Sequence, residues 1–239
     1  GVNAVAISGN YVYTGNNSTG GSELEIFDVS NPSNPVSVGG VDAADHVNDL
    51  VISGRYAYLG SSATDDDLEI FDISSSTNPV KVGGVNAVSA IRSLVVVGNF
   101  AYTVGGSGGD DFEIYDISDP TNPTFVGGAG AAADGVRSIA VSGNYAYIGS
   151  NAAGDDLEIF DISDPANPTK VGGIDTLNVA VYDIEVVGNY AFLANETVNS
   201  LEVYDISSST NPVLVGDVTT SDRANALAIS GNYAYVVTS

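Results

Sequence analysis

Paired aspartates recur along this chain in polar segments between apolar stretches: Asp65, Asp66 and Asp67; Asp110 and Asp111; Asp155 and Asp156. Adjacent carboxylates with carbonyl oxygens nearby form a donor set for a hard cation, because calcium takes about 6–8 oxygen ligands. These seven residues are the candidate metal site, and calcium is the cofactor they suggest. A solvated acidic rim holding no ordered ion is the alternative. A second set lies where a repeated strand begins. One repeat position holds Asn3, Asn48, Arg92, Arg137, Tyr182 and Asn225, and the next holds Ala4, Asp49, Ser93, Ser138, Asp183 and Ala226. Arginine beside aspartate suits an anionic or sugar ligand, and equally suits structural ion pairs. Asn48, Asp49, Arg92, Arg137, Tyr182, Asp183, Glu185 and Asn225 are the candidate ligand site. Asp49, Asp183 and Glu185 can act as acid–base groups only where their surroundings shift their pKa. His46 is the only histidine, so a Ser–His–Asp triad would have to use it.

The elements that position these residues are short strands. The turn glycines Gly9, Gly54, Gly98, Gly143, Gly188 and Gly231 return about every 45 residues, a period that means a propeller or a solenoid. In the fourth copy, strand a covers Val136–Val141 and strand b Tyr145–Gly149. Strand c covers Leu157–Ile162 and strand d Thr169–Val171. Period-two alternation with Gly, Asn and Pro at the joints predicts strands, and no segment carries a helical period. Of 20 aromatic residues, 17 hold three repeat positions, which assigns them to packing rather than to a sugar platform. Asp28, Asp72, Asp116, Asp161 and Asp205 recur before Asn-Pro, the pattern of an Asx-turn rather than of five ligands.

The predicted fold is therefore all-β. It is a β-propeller of four-stranded blades, approximately 2–40, 41–84, 85–128, 129–173 and 174–216, with two strands of a sixth in 217–239. A six-bladed ring is the expected form and a five-bladed ring with a surplus hairpin the alternative. All of 1–239 is expected to form one domain. The variable loops, strand b to c and strand d to a, share one face, where binding usually lives. The aspartates gather there, with Asp42, Asp45, Asp134, Asp175, Asp217 and Asp222 in the d–a loops.

Charge narrows the partners. With 30 acidic against 6 basic residues, net −24, the surface repels nucleic acid and anionic lipid. Cysteine is absent, which excludes disulfides, thiolate nucleophiles and Cys-based metal sites. No apolar run approaches the roughly 18 residues of a membrane helix. The chain begins at Gly1 and contains no Met, so a mature product, a domain or a fragment is expected.

Ser142-Gly143-Asn144-Tyr145-Ala146-Tyr147 and Leu157-Glu158-Ile159-Phe160-Asp161-Ile162-Ser163-Asp164-Pro165 resemble the LVIVD repeat of bacterial and archaeal surface and secreted proteins. Ser75 and Ser208 depart from the pattern, standing where Asp119 and Asp164 stand in other copies. The resemblance implies extracellular or cell-surface display, with binding or structural roles and no transferable catalytic motif. The expected function is accordingly a non-catalytic adhesion, ligand-binding or assembly module, not an enzyme. Its partners would be a protein or glycan at the variable-loop face, with self-assembly or strand completion at the partial sixth blade. A calcium-dependent hydrolase or lyase with carboxylates at the channel mouth is the alternative.

Overall fold

The computed structural model describes residues 1–239 except 18–20, 44–45, 63–65, 107–110, 132–134, 152–153, 177–179, 197–199 and 239. The described residues contain strands and no helix, so no helix is long and apolar enough to cross a membrane. Five four-stranded sheets and one hairpin follow in chain order. They are β1–β4 (Val2–Ser8, Tyr11–Asn16, Leu24–Asp28, Val36–Val41) and β5–β8 (Val47–Ser53, Tyr56–Ser61, Leu68–Asp72, Val80–Val85). Next come β9–β12 (Ile91–Val97, Phe100–Gly105, Phe112–Asp116, Thr124–Ala129) and β13–β16 (Ser138–Ser142, Tyr145–Gly149, Leu157–Asp161, Thr169–Ile174). The last are β17–β20 (Val181–Val187, Tyr190–Asn195, Leu201–Asp205, Val213–Val218) and the hairpin β21–β22 (Ala224–Ser230, Tyr233–Thr238). Within each sheet sequence neighbours pair antiparallel, so the second-to-third and fourth-to-next connections lie at one end.

The hairpin turns explain the repeated glycine. Ser142 pairs directly with Tyr145, which leaves Gly143-Asn144 as a two-residue loop. Such loops need positive φ to match the strand twist. Gly143 has φ +58, and a Cβ added there meets nothing within 4 Å. Conformation alone demands glycine. The recurrent aspartates close the opposite side of the same end as Asx-turns, accepting from Ser30, Ser74, Ser118, Ser163 and Ser207 at 2.8–2.9 Å. Those hydrogen bonds hold the carboxyls of Asp28, Asp72, Asp116, Asp161 and Asp205 below their ordinary pKa.

The chain divides into two compact units, Gly1–Thr103 with Ile114–Val126, and Val104–Glu113 with Gly127–Ser239. In the first, Tyr13, Leu24, Ile26, Val47, Leu50, Leu59 and Phe71 form one buried cluster, and Tyr58, Leu68, Ile70, Ile91, Leu94 and Tyr115 another. In the second, Tyr147, Leu157, Ile159, Val181, Ile184, Leu193 and Tyr204 pack together, and Ala194, Ala224 and Leu227 form a smaller cluster. Each cluster joins successive sheets. The first four residues of each of the third strands β7, β11 and β15 are consequently buried on both faces.

A fourth-strand glycine closes against the following sheet in four of the five four-stranded sheets. A Cβ on Gly39 or Gly83 would collide with the carbonyl oxygen of Ser76 or Pro120, in the third-to-fourth turn of the following sheet. In the second unit Gly127 and Gly172 meet Pro165 and Ser209 in the same way, whereas Gly216 meets nothing within 4 Å.

Candidate functional site

The candidate ligand residues sit at a recurrent β-bulge. The register of the first strand slips between Val2 and Ala4, Val47 and Asp49, Val181 and Asp183, and Ala224 and Ala226. Asn3, Asn48, Tyr182 and Asn225 are thus the extra residues, outside the ladder, and a bulge re-aims such a side chain.

In the first unit the re-aimed side chains fasten one sheet to the next. Asn3 Nδ2 donates to the Val47 carbonyl at 3.0 Å, and Asn48 Nδ2 to the Ile91 carbonyl at 2.8 Å. Asp49 accepts the Leu50 N–H on Oδ1 and the Leu94 N–H on Oδ2, both at 2.8 Å. Burial raises the Asp49 pKa, and hydrogen bonds from Leu94, Leu50 and Ser93 oppose that rise. Arg92 is exposed.

The second unit uses the carboxylates alike and the bulge differently. Asp183 accepts from Ile184 N–H at 2.9 Å and Leu227 N–H at 2.8 Å, and Glu185 accepts from Ile229 N–H at 3.0 Å. Asp49, Asp183 and Glu185, the three candidate acid–base groups, all accept backbone N–H groups. Tyr182 instead meets two guanidiniums, with Arg137 Cζ 4.6 Å and Arg223 Cζ 5.6 Å from its ring centroid. Both lie within cation–π range. Arg137 Nε is buried and has no hydrogen-bond partner, a state that costs about 1–3 kcal/mol. Asn225 is half-buried, and His46 is half-buried just ahead of β5.

Arg223 also lines a cleft of about 240 Å³ with Glu196, Ser200, Thr219, Thr220, Ser221 and Asp222. Backbone contacts shape it. The Asp222 carbonyl accepts from the Ser200 hydroxyl at 3.3 Å and from the Thr220 hydroxyl, and Asp222 Oδ1 accepts the Arg223 N–H at 2.8 Å. The repeat reading passed over Arg223 because it immediately precedes β21, outside the compared position.

The acidic loops resolve into ion pairs and caps. Lys81 Nζ lies 2.9 Å from Asp66 and 2.6 Å from Glu69. Lys170 repeats this with Asp155, at 2.9 Å, and Glu158. Asp67 accepts the Ala87 N–H at 3.1 Å, and Asp156 accepts the Thr176 N–H at 2.9 Å and hydroxyl at 2.8 Å, so each caps the loop into the next sheet. Burial raises both pKa values. Asp111 is buried, and Asp45, Asp65, Asp110 and Asp134 lie outside the described residues. Among the described residues no group of three or more His, Asp and Glu side chains comes together to hold a metal ion.

Sequence reasoning missed the third-strand glutamates. Glu69, Glu113, Glu158 and Glu202 are at most 3% exposed. Two of them take a lysine from the fourth strand. In the first and fifth sheets an asparagine ends the second strand, where Asn16 Nδ2 donates to Glu25 at 2.8 Å and Asn195 Nδ2 to Glu202 at 3.0 Å. Tyr204 adds its hydroxyl to Glu202 at 3.1 Å, and burial raises the pKa of both.

The LVIVD repeat model matches residues 2–43, 44–87, 90–129, 134–176, 180–220 and 222–239. No curated protein matches the chain. Among solved structures, a periplasmic gluconolactonase of Pseudomonas aeruginosa aligns with a TM-score of 0.77 at 14% identity, over 99% of this chain and 73% of its own. A protein of Bacteroides fragilis, provisionally assigned as a 6-phosphogluconolactonase, aligns at 0.77 and 18% identity, over 98% and 72%. The computationally designed protein Ika8 aligns at 0.74 and 15%, over 98% and 67%. These likenesses establish the shared fold. They also correct the expectation that the chain is not an enzyme, because structures that share its fold over nearly its whole length are named as a gluconolactonase and, provisionally, a 6-phosphogluconolactonase.

Proposed function

The chain belongs to the LVIVD repeat family, and on that premise we propose that it is a six-bladed propeller hydrolase acting on a small sugar-derived lactone. The cleft of the second unit carries this reading. Ser200, Thr219, Thr220, Ser221, Glu196 and Asp222 line it, a polar set of residues suited to a polyol. Its volume of about 240 Å³ falls below the roughly 300–1,000 Å³ of drug-sized sites and fits one small ring. In the reaction a carboxylate takes a proton from water as the water oxygen bonds to the carbonyl carbon. The ring C–O bond then breaks and its oxygen receives the proton. Glu196 or Asp222 supplies the base, and Arg223 faces the developing oxyanion.

Acid release from gluconolactone and 6-phosphogluconolactone, corrected for spontaneous opening, tests this. A rate above background that Glu196→Gln or Asp222→Asn lowers about a hundredfold is expected. Background rates with both lactones overturn the reading.

A second reading, strand completion at the hairpin, rests on its exposure. Tyr235 is 58% exposed, against 3–5% for Tyr13, Tyr58, Tyr102 and Tyr147 at the same repeat position. Gly216 offers the joint that the other fourth-strand glycines fill. A synthetic peptide with the sequence of residues 157–174 should bind the protein and raise its melting temperature; an unchanged melt at saturating peptide would refute it.

A further inference from the structure

We propose that the first sheet binds a primary ammonium group, held by Glu25 in a pocket at the end of the sheet where β2 connects to β3. The pocket has a volume of about 260 Å³ and is lined by Gly1, Val2, Asn16, Gly21, Ser22 and Glu25. None of these residues lines the cleft assigned to the lactone, so the two sites stand or fall separately.

The chain shows twice what sits beside a glutamate at this place. In the second sheet Lys81, on the fourth strand, sets its Nζ 2.6 Å from Glu69 and 2.9 Å from Asp66. In the fourth sheet Lys170 pairs in the same way with Glu158 and Asp155. The first sheet has the same register, with Phe27 opposite Ser37 as Phe71 is opposite Lys81 and Phe160 opposite Lys170. Glu25 is thus the counterpart of Glu69 and Glu158. Ser22 stands three residues before it, as Asp66 and Asp155 stand before theirs, and Ser37 replaces the lysine. The first sheet keeps the carboxylate and lacks the ammonium.

The fifth sheet shows how a glutamate does without the lysine. Leu214 holds the lysine position there, and Asn195 and Tyr204 both donate to Glu202. Glu25 receives the first of these donors alone. Asn16 Nδ2 reaches its Oε2 at 2.8 Å, and Phe27 stands where Tyr204 supplies a hydroxyl. Among the described residues no further hydrogen bond or ion pair reaches Glu25, which leaves its Oε1 as an acceptor in the pocket. The Gly1 amine, on the same lining, donates to Asn17 Oδ1 at 3.4 Å. Glu69 and Glu158 are each 1% exposed, whereas Glu25 is half-buried, as expected where the space taken by a lysine stays open. An ammonium brings three donors and makes a charge-assisted hydrogen bond to the carboxylate. The net charge of −24 draws such cations to the surface.

Titration followed by NMR tests the site, with n-butylammonium, n-butanol and tetramethylammonium as probes at fixed ionic strength. The proteins are the wild type, Glu25→Gln and Ser37→Lys. n-Butylammonium should shift the resonances of Asn16 and Ser22 and bind about tenfold tighter than n-butanol, which has its length without its charge. Glu25→Gln should remove that advantage. Ser37→Lys should supply the ammonium from within, raise the melting temperature and abolish n-butylammonium binding. No shift at Asn16 and Ser22 with n-butylammonium overturns the proposal. An equal response to tetramethylammonium that Glu25→Gln leaves intact also overturns it, as a general attraction of cations to an acidic surface. A Ser37→Lys protein that melts as the wild type and still binds n-butylammonium breaks the correspondence with Lys81 and Lys170, and the proposal with it. Nα-acetyl-lysine methylamide, titrated in parallel, separates the sources of the group. Tighter binding than n-butylammonium assigns the site to a lysine side chain of a polypeptide, and equal or weaker binding to a free amine.

Discussion

At the bulge of the first strand, Asn3 and Asn48 in one compact unit reach the carbonyls of Val47 and Ile91. In the other unit Tyr182, at the same bulge, stacks with Arg137 and Arg223. The backbone solution is identical and the side-chain use is opposite. Where the bulge residue is spent on the next sheet, it contributes to assembly and has nothing left for a ligand. Where it is an aromatic, the carboxylates of Asp183 and Glu185 still accept N–H groups of the next sheet, and the bulge side chain stacks with guanidiniums instead of reaching a carbonyl. A repeat protein can thus change the side chain at one copy of a structural position while the neighbouring carboxylates keep their hydrogen bonds.

The largest effect should follow from breaking the stapled side. Asp49→Ala leaves the N–H groups of Leu50 and Leu94 without their acceptor and should cost about 1–3 kcal/mol, read by urea unfolding. Next, Asn48→Ala should cost about 1 kcal/mol, whereas Tyr182→Leu should cost less than Asn48→Ala in the same measurement. Equal losses would erase the distinction between the two units. The smallest effect concerns pH. Asp49 has a raised folded pKa, so its contribution is fully present below its unfolded pKa and falls as pH rises toward the folded value. Asp161 has a lowered one, so its contribution is present above the unfolded pKa and is lost as pH falls through the folded value. Asp49→Asn and Asp161→Asn should therefore tilt the acid limb of the stability profile in opposite senses, as followed by melts between pH 3 and 6 (roughly the carboxylate range).

Much of the scaffold was legible because local chemistry dictates it. Gly143 needs its left-handed conformation and Asp161 its Asx-turn, and both announce themselves once per repeat. Arg137 and Tyr182 were legible as departures from a repeated position. Glu69 and Glu158 were not, since alternation separates inside from outside only when one face of a strand meets water, and the third strand is covered on both. The paired glycines of the fourth strand were equally opaque. What they avoid is a backbone carbonyl in the next repeat, a contact that no single repeat contains.

Those glycines carry a rule for how such chains change length. Each repeat ends in a notch cut for the turn of its successor: Gly39 receives Ser76, Gly83 receives Pro120, and Gly172 receives Ser209. A duplication or deletion running from one notch to the next preserves every fit, because it moves a turn and the notch that receives it as one piece. Any other breakpoint sets a side chain against a carbonyl or leaves a notch vacant. Gene rearrangements that survive should therefore come in whole steps of one repeat, counted from glycine to glycine, and grafted blades should be cut at the same places.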